Sequence, residues 1–167
     1  GLLLLMRQWR HAIFVGGTLL FTALANTATK YFFARLRPEV LSDPLTSYSM
    51  PSGHASGSFA LFLTLAVLAG RGQPPRMRLT WLLVGCLPAL AIALSRVYLG
   101  AHWPTDVLAG AMLAACVCAA SLGLIQRQTP LNAMPPKVWW LVLPSLMALF
   151  AYFALRHLPH AMLRYAY

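Results

Sequence analysis

The stretch Pro104–Gln126, PTDVLAGAMLAACVCAASLGLIQ, decides the fold. It holds one charged residue, Asp106, near its start and then runs apolar to its end. That is enough to cross a bilayer, which takes about 20 mostly apolar residues. Proline suits the first position of a helix, where its missing N–H removes no hydrogen bond. Outward from this segment, four further stretches approach the same requirement: Trp9–Phe33, His54–Ala69, Leu79–Arg96 and Val138–Leu155. The stretch His54–Ala69 is short and carries Ser56, Gly57, Ser58 and Thr64, so it needs close helix neighbours, which small residues permit. Breakers mark the connections: Arg37-Pro38 to Pro51, Gly70 to Arg78 with Pro74-Pro75, Leu99 to Trp103, and Gln128 to Lys137 with Pro130 and Pro135-Pro136. The expected architecture is all-α, a polytopic membrane helical bundle of about five spanning helices. It is one membrane-embedded domain over residues 1–167, with its core near 9–126 and an additional C-terminal helix near 138–155.

Composition points the same way. Of 167 residues, 59% are hydrophobic and only 10% are charged, with a mean hydropathy of +0.66. A soluble domain devotes about a quarter of its residues to charge. Thirteen Lys and Arg against three Asp and Glu give a net charge of +10, which in a soluble protein would suggest nucleic acid. Here the basic residues sit singly or in threes at the ends of apolar runs, where they meet lipid headgroups, so no nucleic-acid partner is expected. Cys86, Cys116 and Cys118 are odd in number, which excludes complete internal pairing, and they read as small buried hydrophobes.

Alternation of the helices puts Arg7, Arg10, Arg71, Arg76, Arg78, Arg127 and Lys137 on one side of the membrane. Lys30, Arg35, Arg37, Arg96, Arg156 and Arg164 fall on the other. Short loops rich in Lys and Arg stay in the cytoplasm. With Lys30, Arg37 and Arg96 set aside as part of a site, the first side is cytoplasmic and the second external. Trp9, Trp81, Trp139 and Trp140 flank the cytoplasmic ends as interface anchors.

Three polar clusters interrupt the external helix ends: Lys30 with Arg37-Pro38, then Pro51-Ser52-Gly53-His54, then Ser95-Arg96 with His102 and Asp106. Charges near a bilayer are paired or functional, and three cations with two histidines and one carboxylate form a pocket for an anion. Arg presents a planar fork matched to phosphate oxygens and Lys a point charge, so Lys30, Arg37 and Arg96 read as a phosphate clamp. Ser52, Gly53 and His54 open a helix, whose free amides and positive dipole end favour the same group. Two histidines beside a phosphate divide the labour of attack and proton delivery. Asp106, four residues beyond His102 and thus about one turn away, orients that imidazole, which makes His102 the nucleophile and His54 the proton donor. The helix end near His102 disfavours its protonation and Asp106 favours it, two opposed effects.

The motifs Lys30-x6-Arg37-Pro38, Pro51-Ser52-Gly53-His54 and Ser95-Arg96-x5-His102-x3-Asp106 resemble the three signatures of the type-2 phosphatidic-acid phosphatase superfamily. The resemblance implies phosphate binding by Lys30, Arg37, Ser52, Gly53 and Arg96, a phosphohistidine at His102, proton donation from His54, and no metal or other cofactor. It also implies a six-helix membrane core with two helices before the first motif. This chain shows only Leu2–Leu5 before Trp9, so a longer parent is expected.

The expected function is hydrolysis of a lipid phosphate or diphosphate at the outer face of a bacterial inner membrane, with undecaprenyl diphosphate favoured. A lipid phosphotransferase using the same residues and a non-catalytic module that binds anionic headgroups are the alternatives. Zinc on the two histidines and Asp106 is disfavoured because three nearby cations repel it. Arg35, Glu39 and Asp43 match no motif and read as solvated loop residues. His11, His157, His160, Arg156 and Arg164 read as interfacial anchors.

Overall fold

The computed structural model describes residues 2–38, 47–127 and 129–164, by backbone alone at 2, 153–154 and 157–164. Glu39 and Asp43 fall outside the described residues, as do the side chains of His157, His160 and Arg164. Among the described residues six helices follow in order: α1 Leu2–Leu5, α2 Trp9–Phe33, α3 Gly53–Ala69, α4 Pro75–Tyr98, α5 Pro104–Ile125 and α6 Pro136–Arg164. No strand occurs among the described residues. The all-α membrane bundle is therefore the observed class. Among the described residues, α2, α4 and α5 are long and apolar enough to cross a membrane, while α3 and the Pro136–Tyr152 part of α6 are apolar but shorter. Three of the five expected spans thus reach full length among the described residues, and α3, with 17 residues, is the short one that the sequence expects.

Helix α4 starts at Pro75, four residues before the expected boundary, because a proline at the first helical position opens the helix instead of blocking it. Pro88 lies inside the same helix.

Helix α3 packs against α2, α4 and α5. Buried small residues allow this: Ala55, Ala60 and Ala66 of α3 with Ala89 and Ala93 of α4 and Ala114 of α5 are at most 4% exposed. A Cβ at Gly85 would stand 2.7 Å from Ala66 Cβ, and one at Gly110 would stand 2.7 Å from the Ser52 carbonyl oxygen and 3.1 Å from Ser56 N. Close approach of this kind is how helices associate where lipid supplies no hydrophobic drive. Gly110→Ala should therefore lower stability by about 1–3 kcal/mol by pushing α5 off the start of α3. The control is Gly123→Ala, whose added Cβ meets nothing within 4 Å. Thermal unfolding in detergent should show a lowered midpoint for the first variant and none for the second.

Large apolar side chains such as Leu83, Leu87, Leu94, Leu108 and Met112 are exposed, as lipid-facing residues are. Cys118 is buried, but Cys116 is exposed and Cys86 half-buried, which corrects the reading of all three as buried. At the end where α2 begins, Phe14, Leu68, Cys118, Leu131, Met134 and Val138 form the larger apolar cluster. Arg10 crosses to this end of α5, donating to Ile125 O at 2.6 Å and Thr129 O at 2.6 Å. It caps carbonyls that a helix C-terminus leaves open. His11 is not an interfacial residue: it is 5% exposed and its Nε2 lies 2.9 Å from Asn132 O.

Candidate active site

The C-termini of α2 and α4 and the N-termini of α3 and α5 meet at the other end of the bundle. Helix α2 stops at Ala34, which takes the left-handed conformation at φ 43° and donates its N–H to Lys30 O. The chain then extends through Arg35 and Arg37. Alternate residues of an extended segment share a face, and both guanidiniums reach the start of α5.

Arg37 joins two segments. Its Nε donates to Ser47 O at 2.7 Å, its Nη2 to Ser47 Oγ at 2.9 Å, and its Nη1 to Ala101 O at 2.7 Å. The same Nη1 lies 3.2 Å from His102 Nε2. Lys30 donates from Nζ to Tyr48 O at 2.5 Å. Arg96 lies in the last turn of α4, and its carbonyl accepts from Ala101 N at 3.1 Å and His102 N at 3.3 Å. Gly100, at φ 63°, supplies the left-handed turn that this reversal requires.

His102 is 4% exposed. A guanidinium carries only donors, so the nitrogen facing Arg37, Nε2, presents its lone pair and the proton resides on Nδ1. Nδ1 faces the Ser49 hydroxyl at 3.4 Å, and Ser49 in turn donates to Asp106 Oδ2. The direct His102 Nδ1 to Asp106 Oδ2 separation is 3.7 Å, beyond hydrogen-bond length. The carboxylate therefore backs the imidazole through a serine and not by direct contact.

Asp106 is fully buried. Oδ2 also accepts from Trp103 N at 3.0 Å, a capping interaction at the start of α5, and Oδ1 accepts from Arg35 Nη1 at 2.9 Å. Arg35 further donates to Thr105 Oγ1 at 2.6 Å and stands 5.5 Å over the Trp103 ring. This corrects the reading of Arg35 as a solvated loop residue: its side chain is 37% exposed, and it pairs the buried carboxylate.

Ser52 is fully buried and caps α3, with Oγ accepting from Ala55 N at 3.4 Å. Its own N–H donates to Asp106 O at 2.9 Å, which locks the starts of α3 and α5 together. Asn26, buried on α2, donates to Ser56 Oγ at 2.9 Å. Gly53 and His54 are exposed at the first positions of α3, where a helix has no internal acceptor for its N–H groups. Arg96, Arg37 and Lys30 all bear electrostatically on His54. The eight residues singled out from sequence thus converge on one end of the bundle. Ser49, Arg35 and Asn26 are the members that sequence reasoning missed. The i, i+2 spacing of Arg35 and Arg37 in an extended segment was the one available signal.

Burial, then Arg37 and Lys30, push the His102 imidazole down from 6.5 to about 4, against the pull of Asp106. Burial and the two cations thus outweigh Asp106 and favour a neutral ring at neutral pH. Because the unfolded imidazole takes up its proton near 6.5 and the folded one near 4, the unfolded state binds more protons between these values. Stability should fall as pH drops through that window. Nitrogen-15 NMR of histidine-labelled protein with an empty site should place the His102 midpoint near 4, well below the ordinary histidine range.

The PAP2 superfamily model matches residues 11–130. An undecaprenyl-diphosphatase of Sulfolobus acidocaldarius is 35% identical over 127 residues, covering 67% of this chain and 54% of that protein. A phosphatidylglycerophosphatase B of Bacillus subtilis is 32% identical over 93 residues, 52% of this chain and 44% of that one. A lipid A 1-phosphatase of Rhizobium johnstonii is 29% identical over 133 residues, covering 73% and 51% respectively. The chain thus spans about half the length of these relatives. The crystal structure of a transmembrane PAP2 type phosphatidylglycerolphosphate phosphatase from Bacillus subtilis shares the fold, with a TM-score of 0.65 at 23% identity over 77% of this chain and 65% of that chain.

Proposed function

The chain belongs to the PAP2 superfamily, and from that premise we propose that it is an integral-membrane lipid phosphatase working through a phosphohistidine at His102. The observation that carries this reading is the His102 ring itself. It is buried, neutral at neutral pH, and held with Nε2 at 3.2 Å from Arg37 and Nδ1 toward Ser49 and Asp106.

In the first displacement, His102 Nε2 forms a bond to phosphorus as the bond to the leaving oxygen breaks, and His54 gives that oxygen its proton. In the second, His54 takes a proton from water, whose oxygen attacks phosphorus while the phosphorus–nitrogen bond breaks and the electron pair returns to the imidazole. Lys30, Arg37, Arg96 and the first amides of α3 hold the phosphoryl oxygens and stabilise the charge that builds on them. As His102 acquires positive charge during attack, its Nδ1–H is stabilised by the Ser49 hydroxyl, which Asp106 polarises. Arg35 and Trp103 N hold Asp106 in place.

The end of the bundle with His102 faces outward from a bacterial inner membrane in this reading, because the opposite end carries Arg7, Arg10, Arg71, Arg76, Arg78, Arg127 and Lys137. Undecaprenyl diphosphate is the favoured substrate, and the activity named for the Sulfolobus acidocaldarius relative supports it. The test is phosphate release from undecaprenyl diphosphate, phosphatidylglycerol phosphate, phosphatidic acid and a lipid A phosphate. The expected result is release from at least one, fastest from the diphosphate. Labelled phosphate appearing on a second lipid would instead make it a phosphotransferase, and vanadate binding without turnover on any of them would make it a binding module. Turnover should also survive EDTA; loss on chelation and recovery with zinc or magnesium would contradict the metal-free mechanism.

A further inference from the structure

At the end of the bundle away from His102, a cleft of about 300 Å³ opens between the C-terminus of α3, the start of α4 and the end of α5. Its polar lining is Arg71, Arg78 and Gln126, against a wall that includes Ala66, Leu82 and Leu122. Helix α3 has 17 residues, so at 1.5 Å per residue the cleft lies about 25 Å from the candidate active site. Nothing in the phosphatase mechanism uses it.

Three observations give this cleft a ligand. Arg71 Nε and Gln126 Nε2 are buried and meet no acceptor, a state that folded proteins avoid unless something else fills the role. The backbone also brings the two arginines to the same cleft. A Cβ at Gly70 would stand 3.3 Å from Arg78 Cα and 3.4 Å from Arg78 Cγ, so α4 passes directly over the cap of α3, beside Arg71. Burial, followed by the charge of Arg78, weakens the hold of Arg71 on its proton. Arg78 spends its Nε on Gln73 O at 2.8 Å, which sets the direction of the rest of its fork. Finally, Asp106 is the only carboxylate side chain among the described residues, and it lies at the far end of the bundle.

Two arginine forks and the Gln126 N–H₂ are donors that match the oxygens of a phosphate. A membrane surface presents such groups to basic residues at helix ends. We propose that the cleft binds a phosphate anion, supplied by the headgroup of an anionic phospholipid in the leaflet opposite the candidate active site.

The test is native mass spectrometry of the whole chain in detergent with phosphatidylglycerol or phosphatidylcholine added. Wild type should retain phosphatidylglycerol about tenfold more tightly than phosphatidylcholine, and Arg71→Gln with Arg78→Gln should erase that preference, since charged hydrogen bonds to a phosphate are worth at least that factor. Arg37→Gln, at the other end, should leave it intact, which separates this site from the catalytic one. Gln126→Leu keeps the charge and much of the volume and should weaken phosphatidylglycerol severalfold; it also decides the matter if the double arginine variant does not fold. Displacement of phosphatidylglycerol by millimolar inorganic phosphate would support the same phosphate chemistry with a soluble anion as its source, and resistance to displacement would support the lipid. Retention equal to wild type in both the arginine pair and Gln126→Leu would overturn the proposal.

Discussion

Replacing His102 with alanine should reduce turnover by at least about a thousandfold while the helices stay assembled, because covalent catalysis has no substitute once its nucleophile is gone. The side chain is buried but makes few bonds that hold the fold. Its partners are Arg37, which keeps Ser47 and Ala101, and Ser49, which keeps Asp106. Gel filtration and thermal unfolding of the variant should therefore stay close to wild type. Substantial activity in a folded His102→Ala protein would remove the nucleophile assignment and pass the role to another group, with His54 the nearest alternative in chemistry.

The second large effect is expected at Asp106. Its two oxygens accept from Arg35, Ser49 and the Trp103 amide. Asp106→Asn exchanges one acceptor for an N–H₂ that must face one of these donors, so both the charge and part of the hydrogen bonding are lost. A loss of up to about 10⁴ in kcat is expected, the size of effect when the carboxylate that orients a triad histidine becomes an amide. Stability should fall as well, since one donor is left facing another in a buried place. Ser49→Ala tells whether the carboxylate acts through the serine. If it does, kcat falls by about 10–100-fold, the value of one hydrogen bond to a charged network, with KM little changed. An unaltered kcat in Ser49→Ala would mean that Asp106 closes the 3.7 Å gap to His102 by itself once substrate is bound.

The fold was legible because a bilayer permits few solutions. Apolar length alone located α2 from Trp9 to Phe33 and put the start of α5 at Pro104. Where the reading slipped, the cause was local. Pro74-Pro75 looked like a break, yet a proline at the first helical position initiates α4, and the apolar stretch near 138–155 continues as helix to Arg164. Position along the chain also made the convergence of Lys30, Arg37, Arg96, His54, His102 and Asp106 readable, since alternating helices return the same ends to the same face. What the pattern could not give was the company each residue keeps. Ser49 enters the site because residues 47–52 fold back under Arg37 and Lys30, whose donors hold the carbonyls of Ser47 and Tyr48. Arg35 is drawn to Asp106 by the fixed turn at Ala34. Such pairings are set by tertiary packing and leave no periodic trace. The same holds for Arg71 and Arg78: in sequence they read as basic residues at a membrane surface, and only the shared lining with Gln126 and the buried Nε of Arg71 mark a cleft.

The proposed catalysis stands or falls on a covalent phosphorus–nitrogen bond. Mixing the protein with lipid diphosphate labelled in its terminal phosphate, quenching in alkali within one turnover and mapping the label by peptide should find it on the segment bearing His102. The label should survive base, be released by acid, and vanish in His102→Ala. Turnover without label on the protein, or label that persists in His102→Ala, would contradict it.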